Sequence, residues 1–407
     1  MGTENTVMDV VIVGAGQAGA WVARSLRQEG HEGRITLLGR EPHAPYERPP
    51  LSKGVLSGAE AHPPVLLTPQ QCEALRVDFR PGVEVTGIDR AGRQVRCADG
   101  SVAAYGKLVL ATGGRPRMLS CPGVDLPGVH VLRTIEDSRA IASKLVPGHR
   151  LLVIGGGWIG LEIAATARKQ QVDVTVLEAG PRLCARSVPP QLSDFLLAKH
   201  RKEGVDVRLS TTVTSIGAGR ERALAVQLSG VAQEFDAVVV GIGLVLDTGL
   251  AEACGLEVRD GIVVDPSGRS SDPDIYAVGD VANQPNSWAG GRLRFESWAN
   301  AQNQAIAVGK AIAGGEVVYD EIPWFWSDQY DLNLQVLGIP SNDLAGIVRG
   351  SVDQGAFSVF QVAEDGLRSV IAVNAPRDIK VAKRWLKQGT CPPPSVLADV
   401  SVRLDKL

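Results

Sequence analysis

Residues 10–23 read VVIVGAGQAGAWVA and residues 151–164 read LLVIGGGWIGLEIA, so a β-branched apolar run twice enters a G-x-G-x-x-G turn and leaves it as a helix. No other feature constrains the chain as much, because strand, glycine turn and helix in that order open a βαβ nucleotide-binding unit. In each copy the first glycine (Gly14, Gly155) makes the tight turn. The second (Gly16, Gly157) lets the backbone approach a pyrophosphate, and the third (Gly19, Gly160) lets helix and strand pack closely. The phosphates then lie at a positive helix N-terminus. ITLL (35–38) and VDVTVLE (172–178) read as the second strands of the two units. The first glycines are 141 residues apart, which indicates two separate nucleotide domains rather than a solenoid period.

The acids after these units say what the sites hold. Glu178 follows Gly155 by 23 residues, where a carboxylate accepts hydrogen bonds from the ribose hydroxyls of NAD and repels a 2'-phosphate, so NADH is expected over NADPH. Arg182 and Arg186 lie close behind it, and an arginine there is able to meet a phosphate. In the first unit the strand ends Gly39, Arg40, Glu41, so the acid comes one residue late, and Glu41 is expected to serve the adenosine ribose. PYERPPLSKG (45–54) sets Arg48 and Lys53 among stiff prolines, a way to hold cations against a flavin and its phosphates. Glu162, two residues after Gly160, is expected in the first turn of the second helix, near where a nicotinamide ends.

Between the units, GVEVTGIDRAGRQVRCADG and KLVLATGG read as hairpins and a strand. DAVVVGIG and DIYAVGDVA follow the second unit, the latter as a return to the first domain. From about residue 320, PWFWSDQYDLNLQVLG, FSVFQVAEDG and LRSVIAVN read as antiparallel strands before a basic helix, DIKVAKRWLKQG. The expected fold is therefore α/β, with two Rossmann-like dinucleotide-binding domains and a C-terminal α+β domain. The expected boundaries are 1–115 with 244–319, then 116–243, then 320–407.

A 44% hydrophobic content over 407 residues suits packed cores in each domain, and a net charge of -3 argues against wholesale nucleic-acid binding. The six cysteines are scattered without C-x-x-C pairs or metal-like clusters, so no disulfide framework, dithiol centre or metal is expected and a cytoplasmic setting fits. No apolar run approaches the ~20 residues of a membrane span, and no signal-peptide pattern precedes the first strand. MGTENT (1–6) matches the short N-myristoylation pattern at Gly2.

VVIVGAGQAG, PYERPPLSK, ATGG, GGGWIGLE, DIYAVGDVA and PWFWSDQY occur in the order found in the NADH-dependent ferredoxin reductases of Rieske dioxygenase systems, and the chain resembles that family over essentially its whole length. FESWANAQNQA and PWFWSDQYDLNLQ resemble in particular the reductases of 3-phenylpropionate/cinnamic acid dioxygenase systems. The resemblance implies a glutathione-reductase-like flavoprotein whose first glycine motif holds FAD and whose second holds NADH. It further implies that Asp280 binds the ribitol and phosphate region and that Thr112 and Gly113 close the dinucleotide site. Trp298 and Trp326 would flank the isoalloxazine, and Lys53 with Glu162 would pair beside the flavin's reactive nitrogen. Arg40 departs from the acid usual at its position.

The activity so implied is electron transfer from NADH through FAD to a small iron–sulfur ferredoxin. Related enzymes that reduce disulfides place a cysteine pair where this chain has PPLSK, which disfavours that activity. A reductase for a P450-system ferredoxin shares every motif, and a flavin-bearing interaction protein without turnover is a further alternative. From Arg377 to Lys387 five cations face one acid, Asp378. On a helix Lys380, Lys383, Arg384 and Lys387 share one face, an expected docking surface for an acidic ferredoxin.

Overall fold

The computed structural model describes residues 8–228 and 230–407; the acylation pattern at Gly2 lies outside them. The described residues form two compact units. One comprises the described part of Met1–Arg48 with Pro64–Arg115 and Val245–Pro323; the other comprises Pro49–Pro63, Pro116–Leu244 and Trp324–Leu407. The segments expected as a nicotinamide domain and a C-terminal domain thus fall in one unit, joined by the PPLSK loop.

The first unit is built on a five-stranded parallel sheet in the order Ile275–Ala277, Lys107–Leu110, Val10–Val13, Ile35–Gly39, Val77–Pro81. Val10 pairs with Ile35 on one side and Lys107 on the other, and the whole VVIV strand is buried. A strand covered on both faces must be apolar throughout, which is why this segment reads as a continuous run. Helices Gln17–Gln28 and Trp298–Ile312 cover one face through Ala20, Ala23, Ala301, Ala305 and Val308. The other face carries the antiparallel strands Val85–Asp89, Gln94–Cys97 and Val102–Ala104. The DIYAVGD segment does return as an edge strand of this sheet.

The second unit repeats the design, with parallel order Asp206–Arg208, Asp173–Leu177, Arg150–Ile154, Ala237–Val240, Val129–Val131. It then adds an antiparallel sheet in the order Trp324–Gln329, Leu332–Gly338, Gly366–Val373, Ala356–Ala363, Gly346–Ser351, with helix Pro376–Gln388 packed on it. Leu332, Leu334 and Val336 of that sheet share one core with Leu161, Ile163 and Val174. Among the described residues no helix is long and apolar enough to cross a membrane.

Candidate functional site

The two glycine turns are sterically near copies. Gly14 and Gly155 have φ of +107° and +114°, a region open to glycine, and a Cβ there would meet the carbonyl oxygen of Ala111 at 2.2 Å or of Gly241 at 2.3 Å. A Cβ on Gly19 would sit 1.9 Å from Gly14 O, and one on Gly160 would sit 2.1 Å from Gly155 O. Gly16 and Gly157 instead face open space, with nothing within 4 Å of a Cβ. Each turn is therefore closed on its strand side and open at the helix N-terminus, the shape a pyrophosphate needs. Both turns fit a dinucleotide.

In the first unit several expected residues gather. The Glu41 carboxylate pairs with Arg48 at 2.6 Å and accepts a short hydrogen bond from the Tyr46 hydroxyl, while the Arg48 guanidinium lies 5.3 Å over the Tyr46 ring. Burial works against the Arg48 charge, but Glu41, Tyr46 and Asp280 more than offset it and hold its pKa above the ordinary guanidinium value. Glu41 thus anchors Arg48. Asp280 stands in the short turn Gly279–Val281, which Gln304 fixes by accepting the Gly279 N–H at 2.7 Å. Thr112 donates to Asp247 O at 2.8 Å and Gly113 O accepts the Asp247 N–H at 3.0 Å, tying the ATGG strand end to the next crossing of the chain. Trp298 opens helix Trp298–Ile312 behind the Ser297 cap. Burial pushes the Glu47 carboxyl up, and its hydrogen bond with Trp298 opposes that. Arg40 is exposed.

In the second unit Glu178 is locked to the turn. Its Oε2 accepts the Gly156 N–H at 2.8 Å and its Oε1 accepts the Gly180 N–H at 2.7 Å, leaving lone pairs on both oxygens for ribose hydroxyls. The two nearby arginines part company here. Arg182 spends its guanidinium on Val188 O, Ser193 Oγ, Ala185 O and Asn342 Oδ1 at 2.6–3.0 Å, so it holds the loop together. Arg186 is exposed, with a guanidinium nitrogen 3.7 Å from where a Gly243 side chain would begin.

Glu162 corrects the sequence expectation. The helix starts at Trp158, so Glu162 is its fifth residue and the first turn carries no acid. The carboxylate is 4% exposed and serves side chains rather than the helix dipole: Oε2 accepts Lys53 Nζ at 2.6 Å and the Ser52 hydroxyl, and Oε1 accepts the Ser327 hydroxyl at 2.7 Å. The pairing of Lys53 with Glu162 is thus present. Ser52 and Ser327 were not singled out from the sequence. Ser327 shares a strand face with Phe325 and Gln329, and a serine on a buried, alternating face was the available signal. On the same strand Trp326 stacks on Trp324, with ring centroids 5.4 Å apart. All six cysteines are free, and burial pushes the Cys184 thiol up. No metal-ligating cluster occurs among the described residues.

Comparison with known proteins agrees with this geometry. The pyridine nucleotide-disulphide oxidoreductase model matches residues 8–305, and the reductase C-terminal model matches 324–407. Rhodocoxin reductase of Rhodococcus erythropolis is 43% identical over 93% of this chain and 89% of its own length. The ferredoxin–NAD(+) reductase component of the anthranilate 1,2-dioxygenase system of Burkholderia cepacia is 39% identical over 97% of this chain and 98% of its own. The reductase in the crystal structure of the covalent putidaredoxin reductase–putidaredoxin complex superposes with a TM-score of 0.94 at 40% identity, covering 99% of this chain and 98% of that one. The chain belongs to the pyridine nucleotide-disulphide oxidoreductases, among the ferredoxin reductases that carry the reductase C-terminal domain.

Proposed function

We propose that this protein is an FAD-dependent reductase that takes electrons from NADH and passes them to a small iron–sulfur ferredoxin feeding a Rieske aromatic-ring dioxygenase. The observation that carries this is the pair of matched glycine turns in a chain whose PPLSK loop has no cysteine, so that two dinucleotides have sites and a disulfide acceptor has none. Bound FAD supplies the change from a two-electron donor to a one-electron acceptor. The chain's own residues bind and orient. Gly14, Gly16 and Gly19 with Glu41, Arg48, Asp280, Thr112 and Gly113 hold the flavin nucleotide, and Trp298 lies against its ring. Gly155, Gly157, Gly160, Glu178 and Arg186 hold NADH, and Lys53 with Glu162 serves the reacting end. The setting is cytoplasmic. A yellow protein that reduces a small iron–sulfur ferredoxin with NADH supports this reading, and a colourless protein that takes up no FAD overturns it. A solved ferredoxin reductase for the CYP199A2 system, 38% identical over 98% of this chain, favours a second terminal system, so dioxygenase and P450-type ferredoxins are compared by kcat/KM.

Glu178 sets the coenzyme preference in this reading. Glu178→Ala removes an acceptor for ribose and the charge that repels a 2'-phosphate, while Arg186 stays exposed nearby. Hydrogen bonds to a charged group contribute about 1.5–3 kcal/mol, so the ratio of kcat/KM for NADH over NADPH falls about 10-fold or more. Equal kcat/KM for the two coenzymes in the unmodified enzyme contradicts the assignment.

The ferredoxin is proposed to dock on helix Pro376–Gln388. Lys380, Lys383, Arg384 and Lys387 are exposed, while Ile379, Ala382, Trp385 and Leu386 are buried against the sheet. The one acid of the run, Asp378, turns inward, accepting the Ser358 hydroxyl at 2.8 Å with Arg349 at 3.7 Å, so the outward face is cationic. Electrostatic steering raises association rates about 10- to 1000-fold and fades with salt. Lys380→Glu with Lys383→Glu therefore raises the ferredoxin KM about 10-fold at low salt and flattens its salt dependence. Turnover with ferricyanide stays intact. Unchanged ferredoxin kinetics place docking on another face.

A further inference from the structure

A line of buried polar side chains leads away from Glu162 within the second unit. Ser327 and Gln329 stand two apart on strand Trp324–Gln329, facing the same side, and His200 lies on helix Pro190–Lys202. None is more than 1% exposed. The links are Ser327 Oγ to Glu162 Oε1 at 2.7 Å, Gln329 Nε2 to Ser327 Oγ at 3.1 Å, His200 Nε2 to Gln329 Oε1 at 2.9 Å and Tyr330 Oη to His200 Nδ1 at 3.1 Å.

The donor inventory fixes the direction of every link. A carboxylate only accepts, so Ser327 gives its one hydroxyl hydrogen to Glu162 and must accept from the Gln329 amide. The Gln329 carbonyl then needs a donor, which assigns the hydrogen of His200 to Nε2; its Nδ1 is left to accept from the Tyr330 hydroxyl. Burial pushes the His200 pKa down to about 4, against the opposing influence of its Gln329 hydrogen bond and of Glu203, so the ring is neutral at neutral pH as this assignment requires. Tyr330 itself has φ of +55°, a conformation a bulky aromatic rarely adopts, at the hairpin turn between two strands, and Lys169 Nζ donates to its carbonyl at 2.8 Å. The Tyr330 and His200 rings meet edge to face at 5.1 Å.

A side-chain amide is a poor proton carrier, so the line is not a wire. It is a set of dipoles all pointing at one carboxylate oxygen, each reinforcing the next. The cation sits on the other oxygen.

Building on the reductase reading above, we propose that Ser327, Gln329 and His200 are positioning residues that fix the Glu162 carboxylate, one oxygen toward the C-terminal sheet and the other toward Lys53, and so hold Lys53 in place for NADH oxidation.

The test uses holoenzyme and four variants. Ser327→Ala removes a hydrogen bond to a buried charge and slows flavin reduction by NADH about 10-fold, with the dissociation constant for NADH changed less than about 2-fold. Ser327→Thr, which keeps the hydroxyl, restores the rate. Gln329→Leu gives about the same loss as Ser327→Ala, and the double variant is no slower than the slower single one because the links act in series. Apart from turnover, nitrogen-15 NMR of histidine-labelled protein shows His200 as the neutral Nε2–H tautomer, and Gln329→Leu abolishes that single state. Unchanged reduction rates in the variants, additive losses in the double variant, or an Nδ1–H or cationic His200 overturns the proposal. Failure of the unmodified enzyme to reduce its flavin with NADH overturns the reductase reading itself, and the tautomer measurement, made without NADH, separates the two failures.

Discussion

Lys53→Met lowers the thermal midpoint of the protein by about 10 °C and nearly abolishes reduction of the flavin by NADH. Glu162 is 4% exposed, and among the described residues Lys53 is its one charged partner within hydrogen-bond distance, beside the hydroxyls of Ser52 and Ser327. Removing the cation leaves a buried carboxylate held by hydroxyls, and breaking a buried pair in this way costs about 3–5 kcal/mol. In a cooperative unit of this size each kcal/mol lowers the midpoint by about 2–4 °C. Replacing both partners by apolar groups removes the unpaired charge but leaves the buried Ser327 hydroxyl without its acceptor, so Lys53→Met with Glu162→Leu regains part of the lost midpoint. On the role proposed for the pair it does not regain flavin reduction. Calorimetry and stopped-flow absorbance read the two effects apart. A double variant as unstable as the single one shows that the two side chains are not energetically coupled.

The same pair shows how far the sequence could be read. Strand, glycine turn and helix are local patterns, so both parallel sheets were legible from residues 10–39 and 151–178, and the period-two segments after residue 324 announced the antiparallel sheet. Strand Gly346–Ser351 was missed because GIVRGS has glycines and few apolar residues, and it lies at a sheet edge where one neighbour suffices. Grouping is a matter of distant contact: Ser52 and Glu162 are 110 residues apart, and nothing in either neighbourhood states that they meet. The resemblance joined Lys53 to Glu162. Composition and spacing carried no hint that Arg182 is consumed by a loop while Arg186 is exposed, because a short arginine-bearing stretch reads alike in both cases. His200 was not singled out, although Leu192 and Leu196 precede it at helical spacing on the same buried face.

The largest effect falls on the glycine turns, and it separates the two sites. Gly19→Ala would put a methyl 1.9 Å from Gly14 O, and Gly160→Ala would put one 2.1 Å from Gly155 O. Both clashes are with backbone, so no side chain is able to swing aside and the helix must lift from the turn, withdrawing the amides proposed to face the phosphates. Overpacking of this kind costs about 1–3 kcal/mol and is paired with lost phosphate contacts, so binding at the affected turn weakens about 100-fold. The turns lie in different compact units, so each variant disables one site. Gly19→Ala purifies colourless or sheds its flavin on gel filtration. Gly160→Ala purifies yellow with a full complement of FAD and is reduced normally by dithionite, while its dissociation constant for NADH rises about 100-fold. Absorbance at the flavin band together with NADH titration decides the matter. If Gly160→Ala sheds the flavin while Gly19→Ala merely weakens NADH, the assignment of the two turns is exchanged, and Glu178 and Glu41 exchange roles with it.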